Sequence, residues 1–153
     1  ADLQNAAEET IRTRRPHDVG LLRFDMKGSW LRIRLASGRY LCYPYAKYDG
    51  EKGISYYGID QYTRKWQEIR TYSGKLLENI CQSSARDVLY DSMPRAEDAG
   101  FSIVLHVHDE MVTEADLRRD VNELSAIMAA GEHWTSGLPL AAAGFETFRY
   151  KKG

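Results

Sequence analysis

The sequence predicts an α+β fold of mixed helices and strands, built as a single domain over residues 1–153 around an antiparallel sheet with packed helices. Three observations carry that reading. Two-residue alternation of apolar and polar side chains fills the stretch from Gly20 to Thr71. A long segment of 3.6-residue spacing follows from Gly74 to Ala99. Strands and helices then come in runs and do not alternate regularly, as they would in a parallel βαβ fold.

Asp2 to Thr13 has helical spacing, with Leu3, Ala6, Ala7 and Ile11 on one side and Pro16 as the stop. Leu22, Phe24 and Met26 alternate with Arg23, Asp25 and Lys27, and Gly28-Ser29 makes a turn. Leu31, Ile33 and Leu35 alternate with Arg32 and Arg34, and Ser37-Gly38 turns into Arg39–Tyr43. These three strands form a meander with one apolar face. Ile54–Ile59 and Lys65–Thr71 read as two more strands.

In the long helix, Leu76, Leu77, Ile80, Cys81, Ala85, Val88 and Leu89 form the expected apolar stripe. Pro94 lacks the N–H a helix interior needs, so a kink or break is expected near Ser92. Ser102–Val107 and Met111–Thr113 are short strands around a polar turn, His108-Asp109-Glu110. Asp116 to Ala130 is a further helix, with Asp116 as N-cap and Gly131 closing it.

Composition excludes little. Hydrophobic residues make up 43% and charged residues 28% of the chain, ordinary for a globular protein. A net charge of −1 gives no overall basic field. Positive charge is instead local: Arg12, Arg14 and Arg15; Arg32, Arg34 and Arg39; and Arg149, Lys151 and Lys152. Cys42 and Cys81 form no C-x-x-C pattern, so they are expected to be reduced thiols of a cytoplasmic protein without a structural zinc site. No apolar run approaches the roughly 20 residues of a membrane span, and no membrane partner is expected. The chain begins with Ala and shows no signal peptide, as expected of a processed or excised piece.

The sharpest chemical feature is Leu105-His106-Val107-His108-Asp109-Glu110-Met111-Val112. Two apolar β segments flank ionisable residues, so a tight hairpin holds His108, Asp109 and Glu110 at a rigid tip. Carboxylate oxygens there suit a hard cation such as Mg²⁺, which usually takes one or two protein carboxylates. Upstream runs Gly74-Lys75-Leu76-Leu77-Glu78-Asn79-Ile80-Cys81-Gln82-Ser83-Ser84-Ala85-Arg86-Asp87. Lys75, Asn79, Gln82 and Arg86 are separated by four, three and four positions and share one helix face.

The pair of motifs resembles family A DNA polymerases, most closely their phage and prophage members. There, G-K-L-x-E-N-x-x-Q-x-x-A-R-D lies on a helix of the palm, and V-H-D-E is the third catalytic motif. The resemblance extends from the first helix to Lys152, and includes Tyr56-Tyr57-Gly58-Ile59-Asp60, Leu138-Pro139-Leu140 and Arg149-Tyr150-Lys151. It implies a C-terminal palm segment of a nucleotidyltransferase in DNA replication. Asp109, with Glu110 beside it, would serve the metal site, and His108 would lie near the primer terminus. Asn79 and Gln82 would meet the minor groove of primer–template DNA, and Lys75 and Arg86 would contact phosphates.

Two motifs of that family are missing. The aspartate of a D-Y-S-x-x-E-x-R pattern is copied in spacing by Asp25 and Arg32, but Trp30 stands at the glutamate position. The nucleotide-gripping helix that ends in Y-G is echoed by Tyr57-Gly58, with Asp49 and Tyr45 where lysine and arginine belong. Asp25 is therefore expected to be a surface strand residue. In family order both motifs precede this chain, so a missing N-terminal polymerase part is an expected partner, in cis or in trans. Alone, the chain is expected to be inactive. Two alternatives stand beside this reading. One is a palm remnant that binds DNA without chemistry. The other is a metal-dependent hydrolase using His106, His108, Asp109 and Glu110, with His133 or His17 as a further ligand.

Overall fold

The computed structural model describes residues 2–150 and contains helices with antiparallel sheets, an α+β arrangement. Lys151 and Lys152, part of the third basic cluster, lie outside the described residues. The chain divides into two compact units, Ala1–Ser84 and Ala85–Gly153. No linker separates them, because the boundary falls inside the long helix.

The first unit opens with α1 (Asp2–Thr13), as its spacing predicts. A four-stranded antiparallel sheet follows in the order β1 (His17–Val19), β2 (Leu22–Lys27), β3 (Trp30–Arg34), β4 (Tyr40–Tyr43). Alternation decides its faces. Phe24, Leu31 and Ile33 are fully buried, and their neighbours Arg23, Lys27, Trp30, Arg34 and Tyr40 are exposed. A second sheet pairs β5 (Lys47–Asp49), β6 (Gly53–Ile59) and β7 (Trp66–Thr71) in that order. The sequence pattern missed β1 and β5, each only three residues long and without a full period of alternation. Ala7, Ile11, Phe24, Leu31, Ile33, Tyr43 and Ile54 form one core with Leu76 and Ile80 from the start of α2 (Ser73–Asp98). Gln4 of α1 accepts a hydrogen bond from the backbone N–H of Ser73 at 3.1 Å, which ties the two helix beginnings together.

Asp25 is a strand residue, as expected, and it is not idle. Arg32 donates to it twice, from Nε at 2.7 Å and from Nη2 at 2.8 Å. This bidentate pair joins β2 to β3 across register partners.

The second unit contains the rest of α2, the hairpin β8 (Ser102–Val107) and β9 (Glu110–Glu114), and α3 (Val121–Ala129). Its small core gathers Ala96, Phe101 and Leu124, with Ile103, Met111, Ile127 and Met128 packed around them. The helix expected from Asp116 begins later. Asp120 is the N-cap and accepts from the Asn122 N–H at 2.8 Å, whereas Asp116 is drawn into a local pair with Arg118. The C-cap is Ala130, followed by Gly131 at φ +68°. That is the left-handed position where glycine ends helices.

The break expected in α2 near Ser92 is corrected: the helix runs through Pro94 to Asp98. The apolar stripe also fails as a whole: Leu76, Ile80 and Leu89 are buried, but Leu77 is 51% exposed and Cys81 and Ala85 are exposed. In the first unit the buried helix positions are Leu76 and Ile80; in the second they are Asp87, Leu89, Ser92 and Ala96. Leu76 with Ile80, and Leu89 with Ser92 and Ala96, each recur at three or four residues, and Cys81 and Ala85, which the sequence puts on the stripe, belong to neither set.

Two tests follow from this packing. Phe24 fills the centre of the first core, and Phe24→Ala should destabilise the first unit by about 3–5 kcal/mol in urea unfolding. Tyr43 is almost completely buried, and burial raises its phenol above the usual 10.0, opposed in part by the hydrogen bond from Asn79. The unfolded chain therefore loses this proton first as pH rises. Its stabilising contribution is complete below about pH 10 and fades as pH climbs through the folded value. Tyr43→Phe should flatten the alkaline limb of a stability–pH curve, leaving the part due to half-buried Tyr56, whose phenol burial also raises.

Candidate functional site

Within the second unit, the ionisable residues sit on a two-residue hairpin. Val107 pairs with Glu110, leaving only His108 and Asp109 in the turn. The tight turn was expected; Glu110, however, belongs to β9 and is half-buried. His108 has φ +54° and is the only one of the two turn residues with positive φ. This is the backbone sense of a type II′ hairpin turn, where glycine is usual. A histidine held there is mildly strained, a condition that concentrates at functional sites. His108 and Asp109 are both exposed at the tip.

The strand leading to the tip carries a β-bulge. Register runs Ile103↔Thr113 and then Leu105↔Val112, so Val104 is the extra residue. Directly paired residues share a sheet face, which puts His106 with Met111 and, past the bulge, with Ile103. Without the bulge His106 would fall on the other face. As built, its ring meets Tyr90 of α2 edge-on, with centroids 5.3 Å apart. Tyr90 in turn accepts a hydrogen bond from Arg86 Nη2 at 3.0 Å, and the guanidinium carbon lies 4.8 Å from the Tyr90 ring centroid. Arg86, Tyr90 and His106 thus form one contiguous line from helix to hairpin strand.

The first unit holds the other three helix residues. Asn79 is half-buried and donates from Nδ2 to the Tyr43 hydroxyl at 3.1 Å. Asn79 and Gln82 line an open depression of about 280 Å³ with Tyr43, Tyr56 and Ser83. Glu78 bridges the outer pair: Lys75 Nζ donates to it at 3.0 Å and Gln82 Nε2 at 3.3 Å. That hydrogen bond is the main cause holding the Lys75 ammonium above its ordinary pKa. The stretch from Lys75 to Gln82 is therefore less purely cationic than the sequence suggests, since Glu78 sits among its donors.

Sequence reasoning named Lys75, Asn79, Gln82, Arg86, His108, Asp109 and Glu110, and missed Tyr43, Glu78 and Tyr90. Glu78 and Tyr90 stood at i+3 and i+4 spacing from Lys75 and Arg86, a signal visible in the sequence. Tyr43 was not, because it comes from a strand far away in the chain. The ligand cluster that a histidine-based hydrolase needs is not assembled: among the described residues no group of three or more His, Cys, Asp or Glu is placed to hold a metal ion. His108 leaves the strand before it could share a face with His106, and His17 lies 3.0 Å from Thr10 Oγ1 through Nδ1.

The strained turn is directly testable. His108→Gly should leave stability unchanged or slightly raised, whereas the β-branched His108→Val should cost about 1–2 kcal/mol in chemical denaturation. Equal stabilities for the two variants would contradict a left-handed residue at this position.

No protein-family model matches the chain, and no solved structure gives a significant match. The chain is 39% identical over 160 aligned positions to the "DNA polymerase" of Bacillus phage SP02. The alignment covers 99% of this chain and 24% of that protein. The chain is thus related to a phage DNA polymerase and spans about a quarter of its relative's length.

Proposed function

We propose that this chain is the C-terminal palm segment of a family A DNA polymerase, presenting Asp109 to the metal site and the Lys75–Arg86 helix face to primer–template DNA. The observation that carries it is the alignment with a phage DNA polymerase over nearly the whole chain, taken with an exposed Asp109 on a two-residue hairpin. The Gly-Lys-Leu and Val-His-Asp-Glu motifs both lie inside that alignment.

The donor set suits a hard cation but is partial. Asp109 and Glu110 supply carboxylate oxygens, and no third ligand joins them among the described residues. Bound Mg²⁺ would contribute two-metal phosphoryl-transfer chemistry, and its second aspartate would come from the rest of a longer polymerase. The chain's own residues have narrower tasks. The hairpin fixes Asp109 at a rigid tip, and the left-handed His108 sets the direction in which the tip presents its side chains. Tyr90 braces both Arg86 and His106. Asn79, held by Tyr43, offers its amide from a half-buried position, and Gln82 beside it is exposed. Such amides can address minor-groove acceptors shared by all base pairs, which gives contact without sequence preference. A DNA-binding role without chemistry is the second reading. It rests on the helix residues alone, with Asn79 held at Tyr43 and Gln82 exposed beside it.

By itself the chain should show no primer extension with deoxynucleotides and Mg²⁺. It should bind a duplex with a recessed 3′ end weakly, with Kd of about 10⁻⁴ to 10⁻⁶ M, falling off steeply with salt. Gln82→Ala and Arg86→Ala should each weaken that binding measurably in a low-salt titration. Unchanged affinity in both would return the helix face to plain solvated surface. In a longer polymerase carrying this segment, Asp109→Ala should lower turnover by several orders of magnitude with the fold intact, and near-normal turnover would remove Asp109 from the metal site.

A further inference from the structure

The solvent-facing side of the first sheet carries a second surface that the helix reading does not use. Strand alternation places Arg23, Lys27, Trp30, Arg32, Arg34 and Tyr40 on that side, opposite the buried Phe24, Leu31 and Ile33. Trp30 is 43% exposed and Tyr40 is 39% exposed, on neighbouring strands. Lys27, Trp30, Arg32, Tyr40 and Cys42 together line an open depression of about 450 Å³. That volume is in the range of small-molecule sites, roughly 300–1,000 Å³.

We propose that this face binds single-stranded DNA, with bases stacking on Trp30 and Tyr40 and phosphates held by Lys27 and Arg34. The charge is complementary to a phosphate backbone. Four cations stand against two carboxylates, Asp18 and Asp25. Asp18 meets Arg23 only at 3.6 Å in an exposed pair, which neutralises little. Asp25 is committed to Arg32, and among the described residues no ion pair engages Lys27 or Arg34. The Asp25 pair also has a geometric effect. It holds the Arg32 guanidinium over Tyr40, 4.5 Å from the ring centroid, as one stacked aromatic–cation unit. Arg14 adds charge at the β2–β3 turn, where its Nη1 donates to the Gly28 carbonyl at 2.6 Å. Flat aromatic faces interleaved with cations on an open antiparallel sheet suit unstacked bases, which a duplex does not offer.

Cys42 also lines the depression beside Asn79 and Gln82, so the substitutions at Trp30, Lys27 and Arg34 separate this surface from the helix face, and Cys42 reports on both. The test uses the 153-residue chain and a fluorescein-labelled oligothymidylate, with a blunt duplex of equal length for comparison. The single strand should bind more tightly than the duplex. Trp30→Ala should weaken it about tenfold or more, and Trp30→Phe should retain most of the affinity. Lys27→Glu with Arg34→Glu should reduce the slope of log K against log salt by about 1.4. Cys42 lies in the depression and Cys81 is exposed on α2, so the oligonucleotide should slow iodoacetamide alkylation of Cys42 more than that of Cys81. Circular dichroism of each variant guards against loss of fold. The proposal is overturned if Trp30→Ala, still folded, binds as the parent does, or if Cys42 reacts equally fast with and without the oligonucleotide. Single-strand affinity lost in Gln82→Ala and Arg86→Ala but kept in Trp30→Ala would overturn it as well, transferring the binding to α2.

Discussion

The continuity of α2 is the constraint on which the rest depends. Its 26 residues supply Leu76 and Ile80 to the core of the first unit and bury Leu89, Ser92 and Ala96 in the second. A helix rotates by about 100° per residue, so within each unit the buried positions recur at three or four residues, Leu76 with Ile80 in the first and Leu89, Ser92 and Ala96 in the second. The polar residues of interest are placed by the same rule. Asn79 follows Leu76 by three and precedes Ile80 by one, which leaves it at the edge of the first core within reach of Tyr43. Pro94 removes one main-chain donor, yet the helix continues to Asp98. Ser92 donates to the Leu89 carbonyl at 2.6 Å in the preceding turn, so local side-chain bonding accompanies the proline.

The candidate site is organised more by aromatic hydroxyls and rings than by charge. Tyr43 receives Asn79, and Tyr90 receives Arg86 and packs on His106. Tyr43 and Tyr56 meet edge-on at 5.0 Å, which fixes the wall of the depression beside Asn79 and Gln82. A buried phenol has one hydroxyl to satisfy and a large apolar body to pack, so it can anchor an amide without placing a charge in the core. This is the structural use of tyrosines that composition alone leaves ambiguous among ten copies.

At the hairpin, two backbone irregularities do what side-chain pattern cannot. The bulge at Val104 changes which face His106 occupies, and the left-handed His108 closes the turn in two residues. Each is a main-chain event, decided by register and by the packing of Ile103 and Met111 against the second core. The exposed aspartate at the tip follows from the two-residue turn.

Much of the architecture was legible in the sequence, because period and burial are coupled. The bounds of α1 and β8, the buried positions Phe24, Leu31, Ile33 and Leu35, and the hairpin around His108-Asp109 all follow from alternation or 3.6-residue spacing. The α+β class follows from the order of those segments. Short strands such as β1 and β5 lack enough residues to show a period, and Asp120 was passed over as a cap because Asp116 offered the same chemistry four residues earlier. What tertiary structure alone decided was which of the helix residues are free. Glu78 is drawn between Lys75 and Gln82, Tyr43 reaches Asn79 from a strand 36 residues away, and Leu77 and Cys81 turn to solvent. The sequence determines which side chains recur on a face. Only the folded chain determines what lies opposite that face, because the opposing atoms come from positions that no local period connects.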